Sequence, residues 1–93
     1  MKSKEKKLTL IDFYATWCSP CQTMEPIIER IEKEFESSLH VLKVDVDILD
    51  QFAQHFKVQN VPTFILMKDE NIVWKQAGIL TFTQLKKVIA EHE

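Results

Sequence analysis

Two cysteines separated by two residues constrain this chain more than any other feature. Cys18 and Cys21 are its only cysteines, and they stand between an apolar run and a segment with helical periodicity. In the first turn of a helix, Cα atoms three residues apart are about 5–5.5 Å from each other, within the range that a disulfide accepts. The spacing therefore predicts a bond that opens and closes with little backbone movement, and it indicates reversible thiol–disulfide chemistry.

The same pair could instead supply half of a structural zinc site. Such a site needs four converging ligands, and the sequence has no second cysteine pair. We interpret His40, His55 and His92 as surface residues, because they are scattered over a predicted strand, a predicted helix and the C-terminal end. Two cysteines are also too few for a secreted disulfide scaffold. We therefore expect a cytoplasmic protein with a catalytic or sensing disulfide.

The periodicity of apolar residues predicts an α/β fold. Strands are predicted at 8–14, 39–46, 63–67 and 72–77. Helices are predicted from the cysteine motif to about residue 36, after an N-cap at Asp47, and after a capping box formed by Thr81 and Gln84. The order β-α-β-α-β-β-α requires a parallel first pair with a right-handed crossover and a final antiparallel hairpin. We expect a four-stranded mixed sheet with helices on both faces.

Length and charge narrow the functional classes. A chain of 93 residues is long enough for one domain, which we place at 1–93 with a short basic N-terminal segment at 1–7. The net charge of −2 gives no electrostatic basis for binding nucleic acid or an anionic membrane. No run approaches the ~20 apolar residues of a membrane span. The apolar run after the basic start is short and carries Asp12, so we expect no cleaved signal.

The two cysteines are expected to have unequal roles. At the N-cap of the helix, Cys18 faces the positive end of the helix dipole and can accept a hydrogen bond from the Cys21 amide. Both effects favour the thiolate, so Cys18 is the expected attacking group. Cys21, expected to be the more buried of the two, would then attack Cys18 and release the reduced substrate.

A carboxylate in the first predicted strand is the expected proton acceptor. Asp12 interrupts an apolar run that is predicted to be buried on both faces, where an unpaired charge is costly. Burial would raise its pKa toward the range useful to a general base. Asp12 is therefore expected to take the proton of Cys21, directly or through water. Lys43, on the neighbouring predicted strand, is the expected partner of its charge.

Several segments, in order, resemble the thioredoxin family. The segment Ile-Asp-Phe-Tyr-Ala-Thr-Trp-Cys-Ser-Pro-Cys at 11–21 resembles the active-site segment of thioredoxins. The further landmarks are Pro26, Lys-Val-Asp-Val-Asp at 43–47, Val-Pro-Thr-Phe at 61–64, and Gly78. A lone pair of cysteines at this spacing is weakly specific, whereas these landmarks in order, covering nearly the whole chain, are strongly specific.

The resemblance implies the thioredoxin fold and the activity of a protein-disulfide reductase and electron carrier in cell redox homeostasis. Cys18 would be the nucleophile and Cys21 the resolving thiol, with Asp12 and Lys43 as the proton-handling pair. Substrates would be proteins that contain disulfides. Electrons would come from NADPH through thioredoxin reductase, with no cofactor bound to this chain.

The resemblance also implies a substrate-docking surface beside the disulfide. The peptide between Val61 and Pro62 would be cis, and the Val61 backbone would pair with an extended substrate segment. The residues that would complete this apolar surface are Trp17, Gly78 and Ile79.

Departures from the family pattern leave some properties open. Ser19 stands where thioredoxins usually have glycine, and Tyr14 replaces a usual tryptophan. Because the residues between the cysteines help to set the redox potential, a thiol oxidase or isomerase is an alternative to the reductase. A binding module that uses the fold without turnover is another. Only seven residues precede the first strand, where most thioredoxins have a strand and a helix. We therefore expect an exposed edge at 39–46, and a monomer, with edge-mediated dimerisation as the alternative.

Overall fold

The computed structural model describes residues 6–93 as four strands and three helices. They are, in order, β1 (Leu8–Tyr14), α1 (Ser19–Glu34), β2 (Leu39–Asp45), α2 (Asp50–His55), β3 (Thr63–Lys68), β4 (Asn71–Ala77) and α3 (Phe82–His92). The predicted order β-α-β-α-β-β-α is confirmed, and each strand begins and ends within one residue of its predicted position. The basic segment expected at 1–7 lies mostly outside the described residues.

The strands form one mixed sheet in the order β2-β1-β3-β4. β1 pairs with β2 in parallel, which places Asp12 opposite Lys43. On its other side β1 pairs antiparallel with β3, which places Asp12 opposite Phe64, and β3 pairs antiparallel with β4. The crossover through α1 explains the parallel pair, because a parallel neighbour cannot be reached by a tight turn. The carboxylate of the first strand thus lies in the middle of the sheet.

Helices cover both faces of the sheet, as predicted. Alternate residues of β1 point to opposite faces, so Leu8 and Leu10 join the apolar cluster of α1 and α3. Ile11 and Phe13 join a second cluster, on the side of α2. Full burial of a side chain of this size contributes about 1.5–3 kcal/mol. By the same alternation Asp12 faces the side of α1, toward the cysteines.

The first helix begins where the sequence predicts and ends slightly earlier than expected. Its buried residues recur at helical spacing, and they are Cys21, Met24, Ile28 and Ile31. Pro26 lies inside the helix without ending it. Phe35 is the C-cap with φ −112° and ψ 31°, which are not helical values, so the helix stops before the predicted residue 36.

The prediction that Asp47 caps the second helix is wrong. The N-cap of α2 is Leu49, which makes no side-chain capping hydrogen bond. A turn precedes the helix, in which the amides of Ile48 and Leu49 donate to the Asp45 carbonyl at 3.2 and 2.8 Å. The Asp47 side chain instead accepts a hydrogen bond from the Trp17 indole nitrogen at 2.8 Å. A hydrogen bond from Trp17, thirty residues earlier in the chain, thus replaces the local cap.

The predicted capping box and the predicted exposed edge strand are both present in the described part of the chain. Thr81 and Gln84 form both hydrogen bonds of a capping box, at 2.9 and 3.1 Å. β2 is an edge strand, and His40, Leu42 and Lys43 are exposed along it. None of the described helices combines the length and the apolar composition needed to cross a bilayer.

Candidate redox-active site

Cys18 and Cys21 form a disulfide at the start of α1, with their Cα atoms 5.3 Å apart. Cys18 is the N-cap residue in extended backbone, with φ −93° and ψ 110°. Its sulfur accepts a hydrogen bond from the Cys21 amide at 3.2 Å. Pro20 lies in the first turn, where a helix does not need the missing N–H. The expected geometry of the cysteine pair is therefore present.

The expected difference in burial between the two cysteines is absent in the disulfide form. Cys18 is 4% exposed and Cys21 is 6% exposed. Both pack in one cluster with Ala15, and Tyr14, Val46 and Val61 lie against that cluster. Because both residues are equally covered, burial gives no basis for the different roles expected of them.

The electrostatic surroundings of the two cysteines do differ. The Cys18 sulfur accepts the Cys21 amide proton and lies at the positive end of α1. A negative charge at a helix N-terminus is stabilised by about 0.3–1 kcal/mol, and a hydrogen bond to a charged acceptor is stronger than one to a neutral acceptor. In the reduced protein these effects favour the thiolate on Cys18. Cys21 borders a small cavity instead.

That cavity connects Cys21 with the buried carboxylate. It has a volume of about 100 Å³ and is lined by Asp12, Tyr14, Cys21, Glu25 and Lys43. Asp12 is only 5% exposed, and its carboxylate has no hydrogen-bond partner among the described residues. A cavity of this volume has room for water. A proton could therefore pass from Cys21 to Asp12 through water.

Burial controls the proton affinity of Asp12. Its pKa is raised from 3.8 to about 6. Desolvation is the largest cause, the positive charge of Lys43 acts in the opposite direction, and the negative charge of Glu25 adds to the increase. Lys43 is exposed and makes no ion pair with Asp12 among the described residues, so its charge acts across the cavity. With a pKa of about 6, Asp12 is about nine-tenths ionised at pH 7. It can thus accept a proton near neutral pH.

A second set of residues lies on the other side of the disulfide. The peptide between Val61 and Pro62 is cis, as the resemblance implied. Among residues 6–93, neither the amide nor the carbonyl of Val61 has a hydrogen-bond partner, so both are available to an extended segment. The Pro62 carbonyl accepts from the Gly78 amide at 2.9 Å. This bond brings Gly78 and the 55% exposed Ile79 to the same end of the sheet.

Trp17 extends this surface. Its hydrogen-bond partner, Asp47, is a site residue that the sequence did not reveal. The Trp17 side chain is 70% exposed and is held by the hydrogen bond to Asp47 described above. A cavity of about 310 Å³ lies beside it, lined by Trp17, Val46, Val58, Gln59, Asn60 and Val61. Asp47 therefore positions the indole. The one hint of this role in the sequence is that Asp47 is the last residue of the segment at 43–47, which resembles the thioredoxin family.

The structure thus places the expected residues in two groups around one disulfide. Asp12 and Lys43 share the small cavity with Cys21, whereas Trp17 and Val61 share the larger one. Two further cavities, of about 410 and 590 Å³, contain none of the expected site residues. Within residues 6–93, no group of three or more His, Cys, Asp or Glu side chains is arranged to hold a metal ion.

Comparisons with known proteins show the family of this chain. The family model described as Thioredoxin matches residues 2–91. A thioredoxin from Buchnera aphidicola is 37% identical over 83 residues, which span 89% of this chain and 76% of that protein. A thioredoxin from Staphylococcus aureus is 35% identical over 88 residues, which span 95% of this chain and 85% of that protein.

Solved structures give the same result. Thioredoxin NaTrxh from Nicotiana alata superimposes with a TM-score of 0.87 at 40% identity, covering 97% of this chain and 76% of that one. The oxidised form of mitochondrial thioredoxin 3 from Saccharomyces cerevisiae superimposes with a TM-score of 0.85 at 35% identity, covering 95% of this chain and 81% of that one.

Proposed function

Since this chain belongs to the thioredoxin family and is a thiol–disulfide oxidoreductase, we propose that it works mainly as a reductase of protein disulfides. The observation that carries the proposal is the asymmetric setting of the cysteine pair. Cys18 caps α1, and Cys21 borders the cavity of a carboxylate whose pKa is raised to about 6. One thiol is thus prepared to attack, and the other has a proton acceptor beside it.

The first step forms a mixed disulfide. A substrate segment lies against Trp17 and pairs with the free backbone groups of Val61, which brings its disulfide to Cys18. The Cys18 thiolate attacks one substrate sulfur, so that a bond forms between Cys18 and that sulfur while the substrate disulfide breaks. The other substrate sulfur leaves with the bonding electron pair and takes a proton from solvent.

The second step releases the reduced substrate. Asp12 accepts the Cys21 proton through the cavity. The Cys21 thiolate then attacks Cys18, so that the intramolecular disulfide forms and the bond to the substrate breaks. The substrate leaves as a second thiolate, which is then protonated. The two electrons that reduce the substrate come from the two cysteines, which end as the disulfide seen in the structure.

Regeneration requires two electrons for each turnover. We propose that they come from NADPH through thioredoxin reductase, and that the protein is an electron carrier in the cytoplasm. The family supports reductase partners in general. We also propose a monomer, because exposed His40 and Lys43 interrupt the apolar edge of β2 and charged edge residues oppose strand pairing. Sedimentation of a dimer at micromolar concentration would contradict that assignment.

The alternative functions make different measurable predictions. A thiol oxidase or isomerase requires a markedly more oxidising potential, which equilibration with glutathione buffers measures directly. A binding module would keep its partner and its biological activity in Cys18→Ser. The family match and the disulfide-forming pair favour the oxidoreductase over the binding module.

The test is reduction of insulin disulfides coupled to NADPH and thioredoxin reductase. We expect turnover by the wild-type protein and none by Cys18→Ser. Asp69→Asn, which changes an exposed side chain in the turn between β3 and β4 and leaves the cysteine motif intact, is the control and should stay active. Wild-type protein that the reductase keeps reduced, yet that leaves insulin disulfides intact, would overturn the proposed reductase function.

A further inference from the structure

Glu25 is a charged residue at the Asp12 cavity that has no role in the mechanism above. It lies four residues after Cys21 on α1, which places both side chains on the same side of the helix. Both line the cavity, together with Asp12 and Lys43. Glu25 itself is exposed, so it stands at the solvent side of a cavity whose inner wall is the buried Asp12.

The surroundings of Asp12 show which groups can set its charge state. From β2 the facing group is Lys43, from α1 the facing groups are Cys21 and Glu25, and β1 itself supplies Tyr14. The neighbour on β3 is the apolar Phe64. Thus the Lys43 ammonium and the Glu25 carboxylate flank Asp12, and their effects on its ionisation are opposite.

We propose that Glu25 is a positioning residue of the resolving step, whose carboxylate at the mouth of the cavity holds the Cys21 proton on Asp12 until it leaves to solvent. The inference rests on the proposed role of Asp12 as proton acceptor. Lys43 alone would favour ionised Asp12 and make it a weaker base. Glu25 opposes Lys43, which agrees with its raising effect on the pKa of Asp12.

The chain offers a matched control for this charge. Glu29 lies one turn further along α1, is also exposed and does not line the cavity. Glu25→Gln and Glu29→Gln therefore make the same change in net charge on the same helix. Only the first removes a carboxylate from the cavity, so a difference between the variants reports the local effect.

The experiment is a titration of the Asp12 carboxyl by ¹³C NMR in the oxidised protein. We expect Glu25→Gln to lower the apparent pKa of Asp12 by about 0.2–0.7 pH units, as for a charge pair with one exposed member. Glu29→Gln should leave it near the wild-type value, and Lys43→Gln should raise it. The effect of Glu25→Gln should shrink in 1 M salt, where the Debye length is about 3 Å.

Turnover gives the second measurement, through the acid limb of its pH profile. In Glu25→Gln this limb should move to lower pH, in the same direction as the NMR titration. Equal titrations of Asp12 in Glu25→Gln and Glu29→Gln would overturn the inference. The role of Asp12 as proton acceptor is tested separately. Unchanged turnover in Asp12→Asn would refute that role, whatever effect Glu25 has on the titration of Asp12.

Discussion

Replacing the buried Asp12 by asparagine should stabilise the protein, and the gain should depend on pH in a defined direction. Burial raises the pKa of Asp12 from 3.8 to about 6. In the folded wild-type protein the carboxyl therefore holds its proton up to a higher pH than in the unfolded chain. The free energy of unfolding must fall as the pH rises from about 4 to about 6, and then level off as far as this group is concerned.

The magnitude follows from the same shift. A difference of about 2 units, at 1.36 kcal/mol for each unit, corresponds to about 3 kcal/mol. Below about pH 4 the carboxyl is neutral in both states, and the difference between Asp12→Asn and wild type contains only the change of side chain. Above about pH 7 the wild-type protein carries the full cost of a buried charge. The advantage of the variant should therefore grow by about 3 kcal/mol across that range.

Urea denaturation of both oxidised proteins from pH 4 to pH 8 measures this quantity. Other ionisable groups are common to both proteins, so their effects cancel in the difference. Asp69→Asn is a suitable control, because Asp69 is exposed in the turn between β3 and β4 and asparagine tolerates its φ of 57°. A difference for Asp12→Asn that stays constant with pH, or that grows toward low pH, would refute the reasoning.

Three other perturbations test separate parts of the site. Asp12→Asn should slow the resolving step near neutral pH by about 10²–10⁴-fold, the usual contribution of a general base; an unchanged single-turnover rate would refute that role. Asp47→Ala removes the acceptor of the Trp17 indole and should raise KM for protein substrates with little change in kcat, whereas unchanged KM would show that the bond does not matter for docking. Gly78→Ala should lower the free energy of unfolding by about 1–2 kcal/mol, because the φ of +98° is unfavourable for any residue with a Cβ; thermal denaturation that matches the wild type would contradict this.

Local patterns were sufficient to predict most of the fold. The nearly continuous apolar run of β1 and the stripe of Met24, Ile28 and Ile31 are determined by burial, which the spacing of apolar residues reports directly. Asp12 was recognisable for the same reason, since a carboxylate in a buried strand departs from the pattern. The cis peptide before Pro62 came from the resemblance alone, because local sequence favours the trans form.

The sequence could not predict the contacts that depend on how distant elements meet. Asp47 has the local features of a helix cap, but its carboxylate accepts from the distant Trp17 indole, and α2 begins after Leu49 with no side-chain cap. Glu25 belongs to a pattern typical of a solvated helix face, and only the packing of α1 on β1 brings it to Asp12. The equal burial of the cysteines likewise depends on Val46 and Val61, from other parts of the chain.

The central claim is that Cys18 attacks the substrate and Cys21 resolves the mixed disulfide. Trapping experiments with Cys21→Ser and Cys18→Ser test it most directly, using reduced protein, an oxidised protein substrate, and non-reducing electrophoresis with mass spectrometry. We predict that Cys21→Ser accumulates a stable mixed disulfide through Cys18, and that Cys18→Ser accumulates little or none. Equal trapping by both variants, or trapping through Cys21 alone, would contradict the assigned order of attack.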